Sequence, residues 1–392
     1  HFKADFAIDM LRSYNYISHL SVVRRSLMER IGGLSDALDG SQDYDVTLRA
    51  VEQTEHVVHI PKVLYHWRVH EASVSLNQNS KLYAFEAGRK AIENHLRRSQ
   101  VPAEVVQGNF LGSYRVTYAL PETQPLVSIV IPNMEHLEDL RRTVESVRSK
   151  STYKNYEIVI VENNSSSPEI FGYYEELKKD PRIQVVCWEG KGFNFSALIN
   201  FGVQYTKGEY VLLLNNDMEI ITPEWLENLV MFAQREDVGA VGARLYYPDD
   251  TVQHAGVFVH PKVAAAHSYL HQSRFSPGYF GRLQVVRDVS AVTGACLITK
   301  RSLFDAVGGL DDEQLTVDYN DIDFCLKLRK LGKLVVFNPW VELYHYESVS
   351  RGGLEDPANR SRWSRERANF LRRWASFIGD RDPYFNYFLI DD

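Results

Sequence analysis

The sequence predicts an α/β protein: a parallel sheet covered by helices on both faces, preceded by part of a second, related domain and a helical linker. Three observations predict it. Within 126–214, short runs rich in Val, Ile and Leu alternate with helical patterns, as expected of strands buried on both faces and joined by helical crossovers. One segment occurs twice: Arg25-Ser26-Leu27 with Gly32-Gly33-Leu34 returns as Arg301-Ser302-Leu303 with Gly308-Gly309-Leu310, an offset of 276. The strand–helix series precedes the second copy, and almost nothing precedes the first.

In chain order, residues 1–78 read as the latter half of a first domain. The repeat extends through them: Gln42-Asp43-Tyr44-Asp45 pairs with Asn320-Asp321-Ile322-Asp323, and Leu64-Tyr65-His66-Trp67 with Leu343-Tyr344-His345-Tyr346. So long a spacing implies two related domains, not a solenoid. The polar stretch 71–80 closes this segment. Residues 79–124 read as a structured linker. Leu82, Phe85, Ile92 and Leu96 share a helical face with Gly88, 101–120 reads as extended, and Pro121 and Pro125 mark a boundary. Residues 125–352 then form the complete domain, with strands over 127–131, 157–161, 183–187 and 210–214. Leu137, Leu140, Val144 and Val147 line one intervening helix, and Ala197, Leu198 and Phe201 another. Residues 353–392 are a helical extension. Over 355–378, Trp363, Phe370, Trp374 and Phe377 lie on one side and Arg362, Arg365, Arg367, Arg372 and Arg373 elsewhere. That pattern suits either a helix docked on the neighbouring domain or a membrane-surface helix.

Composition bounds the function. With 44% hydrophobic and 24% charged residues, the 392-residue chain is ordinary globular protein with room for a sizeable core. No apolar run approaches the roughly 20 residues of a membrane span. A net charge of −7 gives no reason to expect a nucleic-acid partner. Cys187, Cys296 and Cys325 stand in apolar surroundings and read as buried thiols in a reducing compartment, without a disulfide framework or zinc pattern. The chain opens at His1, not Met. A piece of a longer two-domain polypeptide is therefore expected, in preference to a half domain turned scaffold.

In sheets of this kind, ligands sit beyond the carboxyl ends of the strands. The residues there are Pro132-Asn133-Met134-Glu135, Glu162-Asn163-Asn164-Ser165, Gly190-Lys191-Gly192-Phe193-Asn194 and Asn215-Asn216-Asp217. Any one cluster is explained by turn and cap preferences; four in succession point to a site. Asp217 follows a buried run, and a carboxylate facing a diphosphate needs a divalent cation to bridge the two anions. Asp321 sits at a predicted helix start, where the dipole favours the ionised form. It reads equally as an N-cap or as a general base for a hydroxyl nucleophile. His345, taken alone, reads as a packed histidine.

In this order the clusters resemble glycosyltransferase family 2, the inverting sugar-nucleotide transferases of GT-A fold, a Rossmann-like mixed sheet flanked by helices. The resemblance covers about 125–352. It rests on Val-Ser-Ile-Val-Ile-Pro at 127–132, Glu162-Asn163-Asn164-Ser165, the stretch from Gly192 to Gly202, Asn215-Asn216-Asp217, Thr293-Gly294-Ala295 and Asn320-Asp321-Ile322-Asp323. Bacterial polysaccharide enzymes of the rhamnosyltransferase-like kind look closest. The resemblance implies that Pro132, Glu162 and Asn164 border the nucleoside, and that Asn194 and Asn200 support the phosphate and ribose. It also implies donor contact at Asn216, Mn²⁺ or Mg²⁺ held by Asp217 and His345, and Asp321 as base. Asn215 stands where the family's metal motif has its first carboxylate, and Glu162 with its asparagines replaces an acidic pair.

The implied function is inverting transfer, hexosyl or rhamnosyl, from a UDP-, dTDP- or GDP-linked sugar to a hydroxyl of a glycan or lipid-linked saccharide. The implied setting is cytoplasmic, with peripheral contact at the inner face of the membrane through 355–378. In the first copy, Asp43 and His66 hold the base and late-histidine positions. The alternative is a catalytically inactive relative that binds glycan or a partner. A nucleotidyltransferase would show a glycine-rich basic phosphate loop, and Pro132-Asn133-Met134-Glu135 is not one.

Overall fold

A computed structural model describes residues 1–66, 82–347 and 356–386. The polar stretch 71–80, Trp67 and the expected boundary near 352 lie outside them. The chain divides into two compact units. One holds His1–Ala119, Tyr279–Asp288 and the residues from Pro383; the other holds Leu120–Gly278 and Val289–Asp382.

The first unit contains α1 (Ile8–Ser13), α2 (Arg25–Arg30), α3 (Gln42–Val51), α4 (Leu82–Arg98), the antiparallel pair β1 (Ala103–Gln107) and β2 (Tyr114–Tyr118), and β12 (Arg287–Asp288). The linker helix and the extended stretch after it are thus present, the latter as a hairpin. Gly88 is buried on the face of α4 that meets Tyr114, and a Cβ there would overlap the Tyr114 hydroxyl. Close approach, not helix propensity, selects glycine at this position. Asp9 N–H donates to Asp288 Oδ2 at 2.9 Å, tying α1 to β12.

The second unit is built on one mixed sheet. Its strands are β3 (Val127–Asn133), β4 (Tyr156–Glu162), β5 (Ile183–Cys187), β6 (Tyr210–Leu214), β7 (Met218–Ile220), β8 (Val238–Tyr246), β9 (Val252–His254), β13 (Cys296–Lys300) and β14 (Leu334–His345), in the order β14-β8-β13-β6-β3-β4-β5. β7 pairs with β14 and β9 with β8, and β10 (Val257–His260) with β11 (Ala264–His267) forms a separate hairpin. Helices α5 (Leu137–Lys150), α6 (Pro168–Leu177), α7 (Phe195–Val203), α8 (Trp225–Ala233), α9 (Arg301–Ala306), α10 (Asn320–Lys330) and α11 (Pro357–Ile378) belong to this unit.

The expected parallel order holds from β6 through β3 and β4 to β5. Beyond β6 it fails: β13 runs antiparallel to both β6 and β8. A buried run carries no signal of its direction, so periodicity alone could not show this. β3, β6 and β8 are buried along their whole length. Pro132 falls near the end of β3, past the last β3–β6 pair at Val130, where its missing N–H costs no ladder bond on that side. Gly202 lets α7 approach the sheet, since a Cβ there would meet Val130 and Val161 side chains at 2.6 Å. Cys296 and Cys325 are buried as expected. Cys187 is exposed, because it ends the edge strand β5. Among the described residues no helix is long and apolar enough to cross a membrane.

The internal repeat is realised in three dimensions. α2 and α9 match, and so do α3 and α10. Gly32 and Gly33 have φ of 81° and 69°, Gly308 and Gly309 have 75° and 65°, a left-handed pair that favours glycine. Arg49 pairs with Asp45 (2.7 Å) and donates to Gly33 O (2.7 Å). Lys327, its equivalent, pairs with Asp323 (2.9 Å) and donates to Gly309 O (3.2 Å). Burial distinguishes the copies. Leu20, Val22, Val58 and Leu64 are 65–89% exposed, and their equivalents Cys296, Ile298, Phe337 and Leu343, on β13 and β14, are 0% exposed.

Candidate active site

The carboxyl ends of the parallel strands meet in a hydrogen-bonded floor. Asn216 Nδ2, after β6, donates to Asn133 Oδ1 at the end of β3 (2.6 Å). Asn133 Nδ2 donates to the Tyr174 hydroxyl on α6 (2.9 Å), and that hydroxyl donates to Glu162 at the end of β4. Glu162 also accepts from the Ser165 hydroxyl at 2.8 Å. Burial, and then the Glu162 carboxylate, raise the Tyr174 hydroxyl well above its ordinary pKa of 10. It therefore stays a donor throughout the physiological range. Glu162 is thus turned into the fold at 3% exposure, while Asn164 is exposed and donates to Gly190 O (2.9 Å), linking the ends of β4 and β5.

Thr143 pins the Asn216–Met218 turn from α5. Its hydroxyl accepts from Met218 N–H (2.8 Å) and donates toward Asn216 O (2.7 Å). The sequence carried one signal for this residue: a polar side chain amid the apolar face of α5.

Pairing of β7 with β14 sets Met218 opposite His345 and so brings Asp217 to the histidine. Asp217 Oδ1 lies 3.1 Å from His345 Nε2, with both side chains buried. His345 Nδ1 faces Gln253 Oε1 at 2.6 Å. In the tautomer with its ring proton on Nδ1, that carbonyl oxygen accepts it and Nε2 is left facing the Asp217 carboxylate. Asn215 Nδ2 is 3.2 Å from the same Nε2, and Asn215 Oδ1 is buried with no hydrogen-bond partner among the described residues. An imidazole nitrogen, a carboxylate oxygen and an unsatisfied amide oxygen fit a hard divalent cation whose other ligands come from phosphate and water. Among the described residues no group of three or more His, Cys, Asp or Glu converges. Asn215 adds an amide oxygen to the two residues that could hold such an ion.

Backbone contacts connect this cluster to Asp321. Asn215 N–H donates to Ala295 O (3.1 Å), extending the β6–β13 pairing by one residue. Next to Ala295, Gly294 N–H donates to Asp321 Oδ2 (2.8 Å). His254 Nε2 accepts from Thr293 N–H (3.2 Å), fixing the same turn from below. Asp321 is the second residue of α10 and not its N-cap, which is Tyr319 in a left-handed conformation. Its side chain therefore turns to Gly294, away from capping the helix. Pro132 is buried in β3 beside this floor.

Asn194 and Asn200 are committed elsewhere. Asn194 caps α7 by accepting from Ala197 N–H (3.0 Å) and donates to Asp312 O (2.9 Å). Asn200 accepts from Leu310 N–H (3.0 Å) and donates to Leu310 O (2.9 Å). Both hold the 310–312 segment. In the first copy, Asp43 is exposed and accepts from Asn15 Nδ2 (3.0 Å), and His66 is exposed.

Residues 128–308 match the family model described as glycosyl transferase family 2. This segment belongs to that family. The family 2 segment lies in the second unit, apart from the ten residues 279–288, and its helix-flanked mixed sheet is the GT-A arrangement the sequence implied. Two relatives match nearly the whole chain. Protein y4gI of Sinorhizobium fredii, described as uncharacterised, is 44% identical over 98% of this chain and 43% of its own length. The O-antigen biosynthesis protein RfbC of Myxococcus xanthus is 38% identical over 98% of this chain and 30% of its own. The chain thus spans less than half of either relative. Among solved structures, the mannosyltransferase PcManGT of Pyrobaculum calidifontis, in complex with GDP-Man and Mn²⁺, aligns at a TM-score of 0.46 with 16% identity, over 74% of this chain and 73% of that one.

Proposed function

We propose that the family 2 segment, with α10 and β14, is an inverting glycosyltransferase. It would move a hexosyl or rhamnosyl group from a nucleotide sugar to a hydroxyl of a glycan or lipid-linked saccharide in polysaccharide synthesis. The observation that carries this reading is the continuous run from Asp321 through Gly294, Ala295 and Asn215 to the His345–Asp217 pair. It sets a carboxylate free to take a proton beside a cluster suited to a diphosphate and its cation. The inactive alternative is weakened by the same run, since each group it needs is present and bonded to the next.

Each oxygen of Asp321 accepts one backbone N–H, Oδ2 from Gly294 and Oδ1 from Ile322, both at 2.8 Å. Those bonds orient the carboxylate and leave lone pairs for an acceptor hydroxyl. As that oxygen attacks the anomeric carbon, Asp321 takes its proton and the nucleoside diphosphate leaves from the opposite face, so configuration inverts. Asp217, His345 and Asn215 Oδ1 would hold Mn²⁺ or Mg²⁺, which supplies neutralisation of charge on the leaving diphosphate. Asn216 and Asn164 border the donor, Pro132 and Glu162 shape the floor beneath its base, and Asn194 and Asn200 act by holding 310–312. Whether the donor is UDP-, dTDP- or GDP-linked follows from the base that sits on this floor. Three free thiols and a nucleotide-sugar donor suit a cytoplasmic setting. With Phe370 and Trp374 buried, α11 reads as part of the fold and not as a membrane anchor. Residues 1–78 read as the acceptor-side half of a first domain of the same kind, joined by 79–124 to the complete one.

Replacing Asp321 by Asn tests the central role. Turnover, followed as nucleoside diphosphate release, falls by about 10² to 10⁴ while nucleotide affinity stays within about twofold. Wild-type turnover in Asp321→Asn would remove the residue from the mechanism.

A further inference from the structure

The helix α11 lies outside the matched family segment, and its single acidic residue is Glu366, set among six arginines. That carboxylate is 0% exposed. It accepts from the Thr316 hydroxyl (2.5 Å), from Val317 N–H (3.2 Å) and from Asp318 N–H (2.7 Å). A buried charge is sustained only when it is paired or hydrogen-bonded on this scale. Two turns further along α11, Arg373 Nη1 and Trp374 Nε1 both donate to Asp323 Oδ1, at 2.7 and 2.8 Å, and Arg373 also pairs with Asp311. Phe370, between the two polar grips, stacks on Tyr319 at 5.2 Å and packs with Trp374 and Ile378 against Leu315 and Leu326.

These contacts bracket Asp321. Glu366 fixes the backbone at 316–318, Phe370 fixes Tyr319 with its left-handed backbone, and Arg373 with Trp374 fixes Asp323. The other side of the same segment is gripped by α7: Ser196 N–H donates to Thr316 O (3.1 Å) and its hydroxyl to Leu315 O (2.6 Å). We propose that α11 is a positioning element of the transfer site, in which Glu366 and Arg373 hold the 311–323 segment so that Asp321 faces Gly294. The proposal rests on the reading of Asp321 as base. Neither residue touches the reacting atoms, so their effect on turnover passes through Asp321. A helix beyond the family segment is then needed for the chemistry of that segment, and not only for its stability.

The test uses the 392-residue chain with Glu366→Gln, Arg373→Lys, Asp321→Asn and the pairs with Asp321→Asn. Hydrogen exchange of the 316–323 amides should quicken about tenfold or more in Glu366→Gln, with exchange in β3 and β6 unchanged. Turnover, read as nucleoside diphosphate release from the UDP-, dTDP- or GDP-sugar the chain consumes, should lose about 10- to 100-fold in kcat with KM within about twofold. Arg373→Lys, which keeps the charge but not the fork, should lose less than Glu366→Gln. In the Asp321→Asn background, Glu366→Gln should cost nothing further. Unchanged exchange at 316–323, unchanged kcat, or losses that multiply with Asp321→Asn would each overturn the proposal. Wild-type turnover in Asp321→Asn is a different failure: it removes Asp321 as base, while the exchange result still decides whether α11 holds the segment.

Discussion

Asp217 and Asp321 were legible in the sequence because each is a carboxylate at a position where the fold leaves it available, one after a buried strand and one in a first helical turn. Their connection was not legible. It runs through Asn215 N–H, Ala295 O and Gly294 N–H, backbone groups that β6 and β13 bring together from 80 residues apart. Glu162 shows the converse. Its place after a strand suggested donor contact, yet its carboxylate faces Tyr174 and Ser165, because a tyrosine one helix later supplies a nearer partner. The pair of buried His95 with half-buried Glu52 (2.7 Å) gives a residue-scale prediction in the first unit. Burial, helped by Arg12 and Arg98 and opposed by Glu52, lowers the His95 pKa below its ordinary 6.5. The unfolded chain therefore binds the extra proton first, so stability is full above about pH 6.5 and declines as pH falls below it. Glu52 has the same sign: burial opposes, but its bonds to His95 and Arg98 prevail and lower its pKa. Hydrogen-exchange protection of α3 and α4 should fall between about pH 7 and pH 5, more steeply than that of β3 and β6. Equal loss in both would contradict the assignment.

At the scale of elements, the strands from β3 to β6 and their helices were legible from burial and periodicity, since runs of Val, Ile and Leu have few other places to go. The amphipathic pattern of α11 was legible too, and it admitted two readings. Phe370 and Trp374 are buried with Leu315 and Leu326, while Phe377 is 39% exposed, which favours the docked one for the middle of the helix. The partners of Glu366 and Asn133 were beyond reach, because they lie on segments whose approach no local pattern encodes. The repeated strands offer a direct comparison. Ile298 on β13 is 0% exposed, and Val22 at the equivalent position is 89% exposed. Ile298→Ala should cost about 2 to 5 kcal/mol in urea unfolding, whereas Val22→Ala should change stability by less than about 0.5 kcal/mol. A comparable loss from Val22→Ala would show that residues 20–24 are packed in this chain as β13 is.

At the scale of the molecule, the two units are unequal versions of one plan. Both carry the left-handed glycine pair, the following helix and the Asp–Lys or Asp–Arg pairing that ties the helix back to it. Among the described residues, only the second unit joins that plan to a sheet whose strand ends hold Asn133, Asn164, Asn215, Asn216 and Asp217. The repeat made the duplication legible. The antiparallel course of β13 was not legible, yet that strand delivers Gly294 to Asp321. The central claim is that Asp217, His345 and Asn215 form the cation-dependent end of a nucleotide-sugar site. Its most direct test is titration calorimetry of UDP, dTDP and GDP against the chain and its Asp217→Ala variant, with and without Mn²⁺. The account predicts that one nucleotide binds only with the metal, and that Asp217→Ala weakens this binding by at least about tenfold. Binding that ignores both the metal and the substitution, or no binding by any of the three, would contradict it.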